Sequence, residues 1–127
     1  MKFSVDKQEK YTLLTLGEEK LDSTISPELK SEFVNLQTTG VSSVILNLSA
    51  TKYADSSGLS ALLVGNRTFS ENGGSFVLAG ITPFVEKLLT ISQLTGVLSI
   101  VPTNEEAVDL VFMQELERGF EAEGGAE

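Results

Sequence analysis

A carboxylate, two hydroxyls and a glycine stand together at Asp55-Ser56-Ser57-Gly58. They fall between an apolar β-like run, Val44-Ile45-Leu46-Asn47-Leu48, and an apolar helical stretch that starts at Leu59. In an open α/β sheet the carboxyl end of a strand is where ligands and reactions gather. A helix N-terminus adds free N–H groups and the positive end of the dipole, which favour negative charge. A serine placed there is suited to carry or sense a phosphate. The same residues also read as a plain helix cap, because Asp and Ser are favoured N-cap residues. Gly58 weighs against capping alone. Inside a first helical turn it lowers stability by up to about 1 kcal/mol relative to Ala, while letting another group come close.

What the chain lacks narrows the chemistry further. It contains no His, no Cys and no Trp. Ser-His-Asp and Cys-His catalysis, thiolate chemistry and most zinc sites are thereby excluded. No Gly-x-Ser-x-Gly elbow occurs, which leaves a Lys-based dyad through Lys52 or Lys87 as the one route to a serine hydrolase. A phosphoaspartate receiver needs acids after its first strand to hold Mg²⁺ and a Lys after its fifth. Here the early acids Glu18, Glu19 and Asp22 follow an antiparallel strand, and the fifth strand runs into Pro102-Thr103-Asn104. No P-loop is present. The residues indicate neither a cofactor nor a metal, and a binding module is favoured over an enzyme.

The 127 residues carry a net charge of −9 and are 41% hydrophobic. One domain with a real core is expected. The charge argues against nucleic acid as a direct partner. No apolar run approaches the roughly 18–20 residues that cross a bilayer, so no membrane insertion is expected. Met1-Lys2-Phe3-Ser4-Val5-Asp6 turns polar too soon for a signal peptide, which makes the cytoplasm the default location. Oligomeric state is not legible.

The elements that must position the motif follow from patterning. Phe3 to Gln8 alternates as a half-wet strand, Glu9-Lys10 turns, and Tyr11 to Leu16 returns antiparallel. Glu18 to Ile25 reads as loop. Ser26-Pro27-Glu28 starts a helix, with Ser26 as its cap, Leu29, Phe33 and Leu36 on its inner face and Gly40 as its stop. Val44 to Leu48 is a strand covered on both faces. The second helix is placed from about Ser57 to Glu71, with Leu59, Leu62, Leu63, Asn66 and Phe69 inward. Phe76 to Ala79 is the next strand, and Thr82-Pro83 opens a third helix to about Ile91, anchored by Phe84, Leu88 and Leu89. Val97 to Val101 is the last strand. Asn104-Glu105-Glu106 caps a last helix to about Leu116. The order β-β-α-β-α-β-α-β-α predicts an α/β fold: a single mixed sheet, an antiparallel edge hairpin plus parallel strands, flanked by four helices. Residues 1–117 form the domain, and 118–127 an acidic flexible tail.

With these elements in place, Val44-Ile45-Leu46-Asn47-Leu48 followed by Tyr53-Ala54-Asp55-Ser56-Ser57-Gly58-Leu59 resembles the signature of STAS domains, named for sulfate transporters and anti-sigma-factor antagonists. Leu21-Asp22-Ser23-Thr24 is similar to the family's segment before the first helix. Gly73 to Gly80 is similar to its glycine turn and fourth strand, and Glu105-Glu106-Ala107 to the start of its last helix. Asp-Ser-Ser-Gly in this setting looks like the stand-alone bacterial antagonists. The resemblance implies that Ser56 is phosphorylated by a partner anti-sigma factor that is also a serine kinase. It implies that Asp55 orients the hydroxyl or the helix entrance, that Gly58 permits close approach, and that Asp22 contacts the partner. Ser57 is left as a partner contact or a minor phosphate acceptor. Glu18-Glu19-Lys20 makes the segment before Leu21 longer than the family's usual spacing. The alternative that the family also holds is a non-signalling adaptor subunit of a membrane transporter complex.

Overall fold

The structure, a computed structural model, describes the backbone of residues 1–124 and the side chains of residues 1–120. The chain opens with a hairpin, β1 (Phe3–Lys7) and β2 (Thr12–Leu16), paired antiparallel. Gln8 N–H donates to the Tyr11 carbonyl at 2.8 Å and closes the turn through Glu9-Lys10. Every later pairing is parallel. β2 pairs with β4 (Val44–Asn47), β4 with β6 (Phe76–Ala79) and β6 with β7 (Ser99–Val101), so the sheet runs β1-β2-β4-β6-β7. The expected mixed sheet is present, as are its four helices: α1 (Ser26–Thr38), α2 (Ser56–Ser70), α3 (Pro83–Ile91) and α4 (Asn104–Gly124).

One pairing was not anticipated. Lys20–Leu21 (β3), within the segment read as loop, lies parallel to Tyr53–Ala54 (β5) in a second, two-stranded sheet. The residues Glu18-Glu19-Lys20 make this pairing possible. The Glu18 carbonyl accepts from Thr51 Oγ1 at 2.8 Å, and the Glu19 carbonyl from the Lys52 and Tyr53 amides at 2.8 and 3.1 Å. Two-residue strands carry too little periodicity to be read from sequence.

The two faces of the sheet are covered unequally. Leu14, Leu16, Leu46 and Leu78 point to the side of α1, α2 and α3, where Phe33, Phe69 and Phe76 lock together through edge-on and stacked contacts at 5.3–6.2 Å. Ile45, Val77 and Ala79 point the other way and meet only Ala107 and Val111 of α4 as buried partners. The inward stripe of α2 differs from the expected one. Gly58, Ala61, Leu62, Gly65 and Phe69 are buried, whereas Leu59, Leu63 and Asn66 are half-buried. The helix is turned because Gly65 admits the Phe33 and Phe76 rings to within 2.8 Å of where a Cβ would stand. On α3 the anchors are Val85 and Leu89, and Phe84 is exposed. Helix α4 continues beyond Leu116 to Gly124. Arg118, half-buried, donates from Nη1 to the Gly74 carbonyl at 3.3 Å and to Ser75 Oγ at 3.1 Å, which ties the extension to the body. The acidic tail expected from residue 118 therefore starts within this helix, and residues 125–127 lie outside the described residues.

Candidate functional site

The strand-to-helix junction is built by Asp55. Its backbone is extended (φ −116°, ψ −170°), and its Oδ1 accepts from the Ser57 and Gly58 amides at 3.0 and 3.1 Å, two of the orphan donors of α2. The same oxygen accepts from the Ser57 hydroxyl at 2.6 Å. Hydrogen bonds to the charged form favour it, so the Ser57 hydroxyl first, then the Gly58 amide, hold the Asp55 carboxyl below its ordinary value of 3.8. The structure thus places Asp55 as the N-cap, one residue ahead of a helix that starts at Ser56 rather than Ser57.

The two serines part company here. Ser57 is half-buried, bonded to Asp55, and its Oγ lies 3.2 Å from Ser26 Oγ. Ser56, at the first helical position, is exposed, and its hydroxyl has no hydrogen-bond partner among the described residues. Asp55 therefore orients the helix entrance and Ser57; it does not hold the Ser56 hydroxyl.

The loop before α1 is laced to this junction. The Asp55 amide donates to the Leu21 carbonyl at 3.3 Å, continuing the β3–β5 pairing into the site. Gly58 is buried against the same residue: a Cβ there would run into the Leu21 carbonyl oxygen and come within 2.9 Å of Leu21 Cγ. The close approach expected at Gly58 is thus made by the chain's own backbone. Asp22 follows at once, half-buried, accepting at Oδ1 from the Thr24 hydroxyl at 2.6 Å and the Thr24 amide at 3.0 Å. Those two bonds, the hydroxyl first, lower its pKa below 3.8, while the nearby Asp55 charge acts in the opposite sense. Ser26 is buried at the first position of α1 rather than capping it. Its hydroxyl turns inward to the Asp22 carbonyl at 2.7 Å. Ser26 and Thr24 are the members of this cluster whose roles the sequence did not reveal; the only signal was their polar type within reach of Asp22.

Asp22, Asp55 and Ser56 therefore share one surface, with Ser57 and Gly58 beneath it. Its rim carries Tyr53 and Phe84, 43% and 48% exposed, whose rings stack at 5.5 Å. Lys52 stands outside and pairs with Glu19 at 3.8 Å in full solvent. Such a pair contributes little. Among the described residues no group of three or more metal-ligating side chains occurs, and no helix is long and apolar enough to cross a membrane.

A five-stranded mixed sheet with a capped Asp-Ser-Ser-Gly junction defines a class, and comparison with known proteins places the chain in it. The chain belongs to the STAS domain family, whose model matches residues 2–107. Among solved structures it is similar to a protein of Thermotoga maritima assigned as an anti-sigma factor antagonist, at 24% identity and TM-score 0.76 over 86% of this chain and 93% of that one. It is also similar to the anti-sigma factor antagonist SpoIIAA of Bacillus in its unphosphorylated form, at 23% identity and TM-score 0.73 over 87% of this chain and 96% of that one. SpoIIAA is known in a phosphorylated form as well. The same fold occurs inside the murine anion transporter Slc26a9, at 17% identity and TM-score 0.70, covering 85% of this chain and 18% of the transporter.

Proposed function

We propose that this chain is an anti-sigma-factor antagonist, a cytoplasmic binding protein without catalytic activity of its own. Unphosphorylated, it docks on an anti-sigma factor that is also a serine kinase, and that kinase phosphorylates Ser56. The observation that carries the reading is the contrast between two adjacent serines. Ser57 is committed to the Asp55 cap, whereas Ser56 offers an exposed and unengaged hydroxyl at the helix entrance. The existence of SpoIIAA in both phosphorylation states supports the same reading from a protein of like fold.

The switch follows from charge. A phosphate on Ser56 adds about −1.5 to −2 charges beside Asp55 and within reach of Asp22. The α2 dipole favours that charge by roughly 0.3–1 kcal/mol, and Ser56 makes no bond that must break, so the fold tolerates it. Inside a docked interface the same charge is desolvated and unpaired. That costs on the order of 2–5 kcal/mol, about 30- to several thousand-fold in affinity. Asp22 and Asp55 line the contact, so the added phosphate also meets two carboxylates on its own side.

The test is phosphosite mapping of the protein from its native cell, followed by binding measurements. A phosphatase-sensitive phosphoryl group on Ser56 is expected, with Ser56→Ala binding the kinase constitutively and Ser56→Asp failing to bind. Equal affinity of the two variants would sink the switch. A Ser56 that stays unmodified through growth and stress would favour the second reading, an adaptor within a transporter assembly, where the fold is also found.

A further inference from the structure

Helix α4 carries a surface that the proposed switch does not use. Its outer end lies beyond the STAS-matching residues and presents Phe112, Met113, Leu116 and Phe120, exposed by 40, 58, 73 and 79%. The spacing 112, 116, 120 sets one stripe along the helix. Only Phe112 has an aromatic neighbour, Tyr11, edge-on at 6.4 Å. Of the charges beside the stripe, Glu115 pairs with Lys10 at 3.3 Å and Arg118 turns inward to Gly74 and Ser75, whereas Glu117 stays exposed with no ion pair among the described residues. Large side chains offer about 150–250 Å² each, so these four leave roughly 400–500 Å² of apolar surface in water. A patch of that size matches the largest that a monomer ordinarily exposes, and such patches are often functional.

We propose that residues 112–120 of α4 pair with the same residues of a second copy, antiparallel, about a two-fold axis at Leu116. In that register the sequence is complementary to itself. Phe112 and Phe120 stand four residues either side of Leu116, so each aromatic of one copy meets an aromatic of the other. Met113 and Gly119 stand three residues either side, so a long flexible side chain meets a position with none. A two-fold contact of this kind uses the same patch on both subunits and closes on itself. Two such stripes remove about 800–1,000 Å² of apolar surface together. With the flanking stems of Lys10 and Glu115 this reaches the ~1,000 Å² at which a specific interface begins. The dimer is accordingly a weak one. Because each copy carries −9, it tightens as added salt screens the repulsion.

The experiment uses the whole 127-residue chain, which has no Cys of its own. Sedimentation at about 100 µM, a concentration that populates a micromolar dimer, is expected to give a dimer for the native chain. Leu116→Glu is expected to give a monomer with unchanged far-ultraviolet dichroism, since the residue is exposed. Single cysteines then fix the register. Leu116→Cys lies on the axis, within the 4.4–6.8 Å Cα range of a disulfide, and oxidises to a cross-linked dimer. Phe120→Cys lies four residues from the axis. Its copies are separated by ~12 Å along the helices at 1.5 Å per residue, and they do not cross-link. A monomeric native chain at that concentration overturns the proposal. So does a dimer that survives Leu116→Glu, or a Phe120→Cys that cross-links as readily as Leu116→Cys, the sign of a parallel pair.

Discussion

The entrance of α2 and the outer end of α4 are both exposed helical segments of one small domain, built of opposite materials. At α2 nearly every polar group has a partner. Asp55 takes two amides and a hydroxyl, Asp22 takes Thr24, and Ser26 takes the Asp22 carbonyl. Of the motif's two hydroxyls, Ser57's is engaged and Ser56's is left over. At α4 the leftover groups are apolar, in a stripe of which only Phe112 finds an aromatic neighbour, Tyr11, on the single-helix face of the sheet. A free hydroxyl beside a saturated helix cap is a point that chemistry can address without disturbing the fold. A run of uncovered aromatics addresses another surface. Exposure alone distinguishes neither; the difference lies in what the neighbours already hold.

The widest separation between the two regions is expected in stability. Phe33 is fully buried beneath α2, against Phe69 and Phe76. Phe33→Ala should cost about 3–5 kcal/mol in urea unfolding. Leu116→Ala, measured at a protein concentration low enough to keep the chain monomeric, should stay within about 0.5 kcal/mol. A large loss at Leu116 would mean that the stripe packs within its own chain, and the contrast would fail. Next in size is the comparison of the two serines. Ser57→Ala removes a half-buried hydroxyl bonded to a carboxylate and should destabilise by about 1–2 kcal/mol. Ser56→Ala should lie within about 0.5 kcal/mol of the native chain. Equal losses would show that Ser56 is held as firmly as its neighbour.

The smallest effect is in pH. The carboxyls of Asp22 and Asp55 are both held below 3.8 in the folded protein. The folded state therefore gives up these protons more readily than the unfolded one. Their contribution is complete above pH 3.8 and is lost as pH falls through the lower folded values. Thermal midpoints should be insensitive to these two groups from pH 7 to about 5 and should drop in the acid limb. Asp55→Asn should make that limb shallower. A limb unchanged by Asp55→Asn would place the acid sensitivity elsewhere.

Much of this molecule is legible as a string. The edge hairpin, the buried runs at Val44 and Phe76, the proline-led entries of α1 and α3, and the placing of Asp55 and Ser56 between strand and helix all follow from local patterns. Periodicity, capping preference and turn chemistry act over a few residues, and the sequence displays those directly. The resemblance to STAS domains was legible for the same reason, since its signature is a contiguous strand–motif–helix.

The tertiary structure decided what depends on residues far apart. Pairing of Lys20–Leu21 with Tyr53–Ala54 joins segments too short to announce themselves, and it brings Asp22 beside Asp55. Gly65 between Phe33 and Phe76 set which face of α2 turns inward, and Leu21 against Gly58 set how closely its entrance docks. Arg118 reaching back to Gly74 and Ser75 carried α4 past Leu116. Above all, sequence could name two serines, but only the fold, by engaging Ser57 with Asp55 and setting it beside Ser26, left Ser56 as the free one. Local chemistry nominates groups; the three-dimensional competition for hydrogen-bond partners and buried space decides which of them remain available.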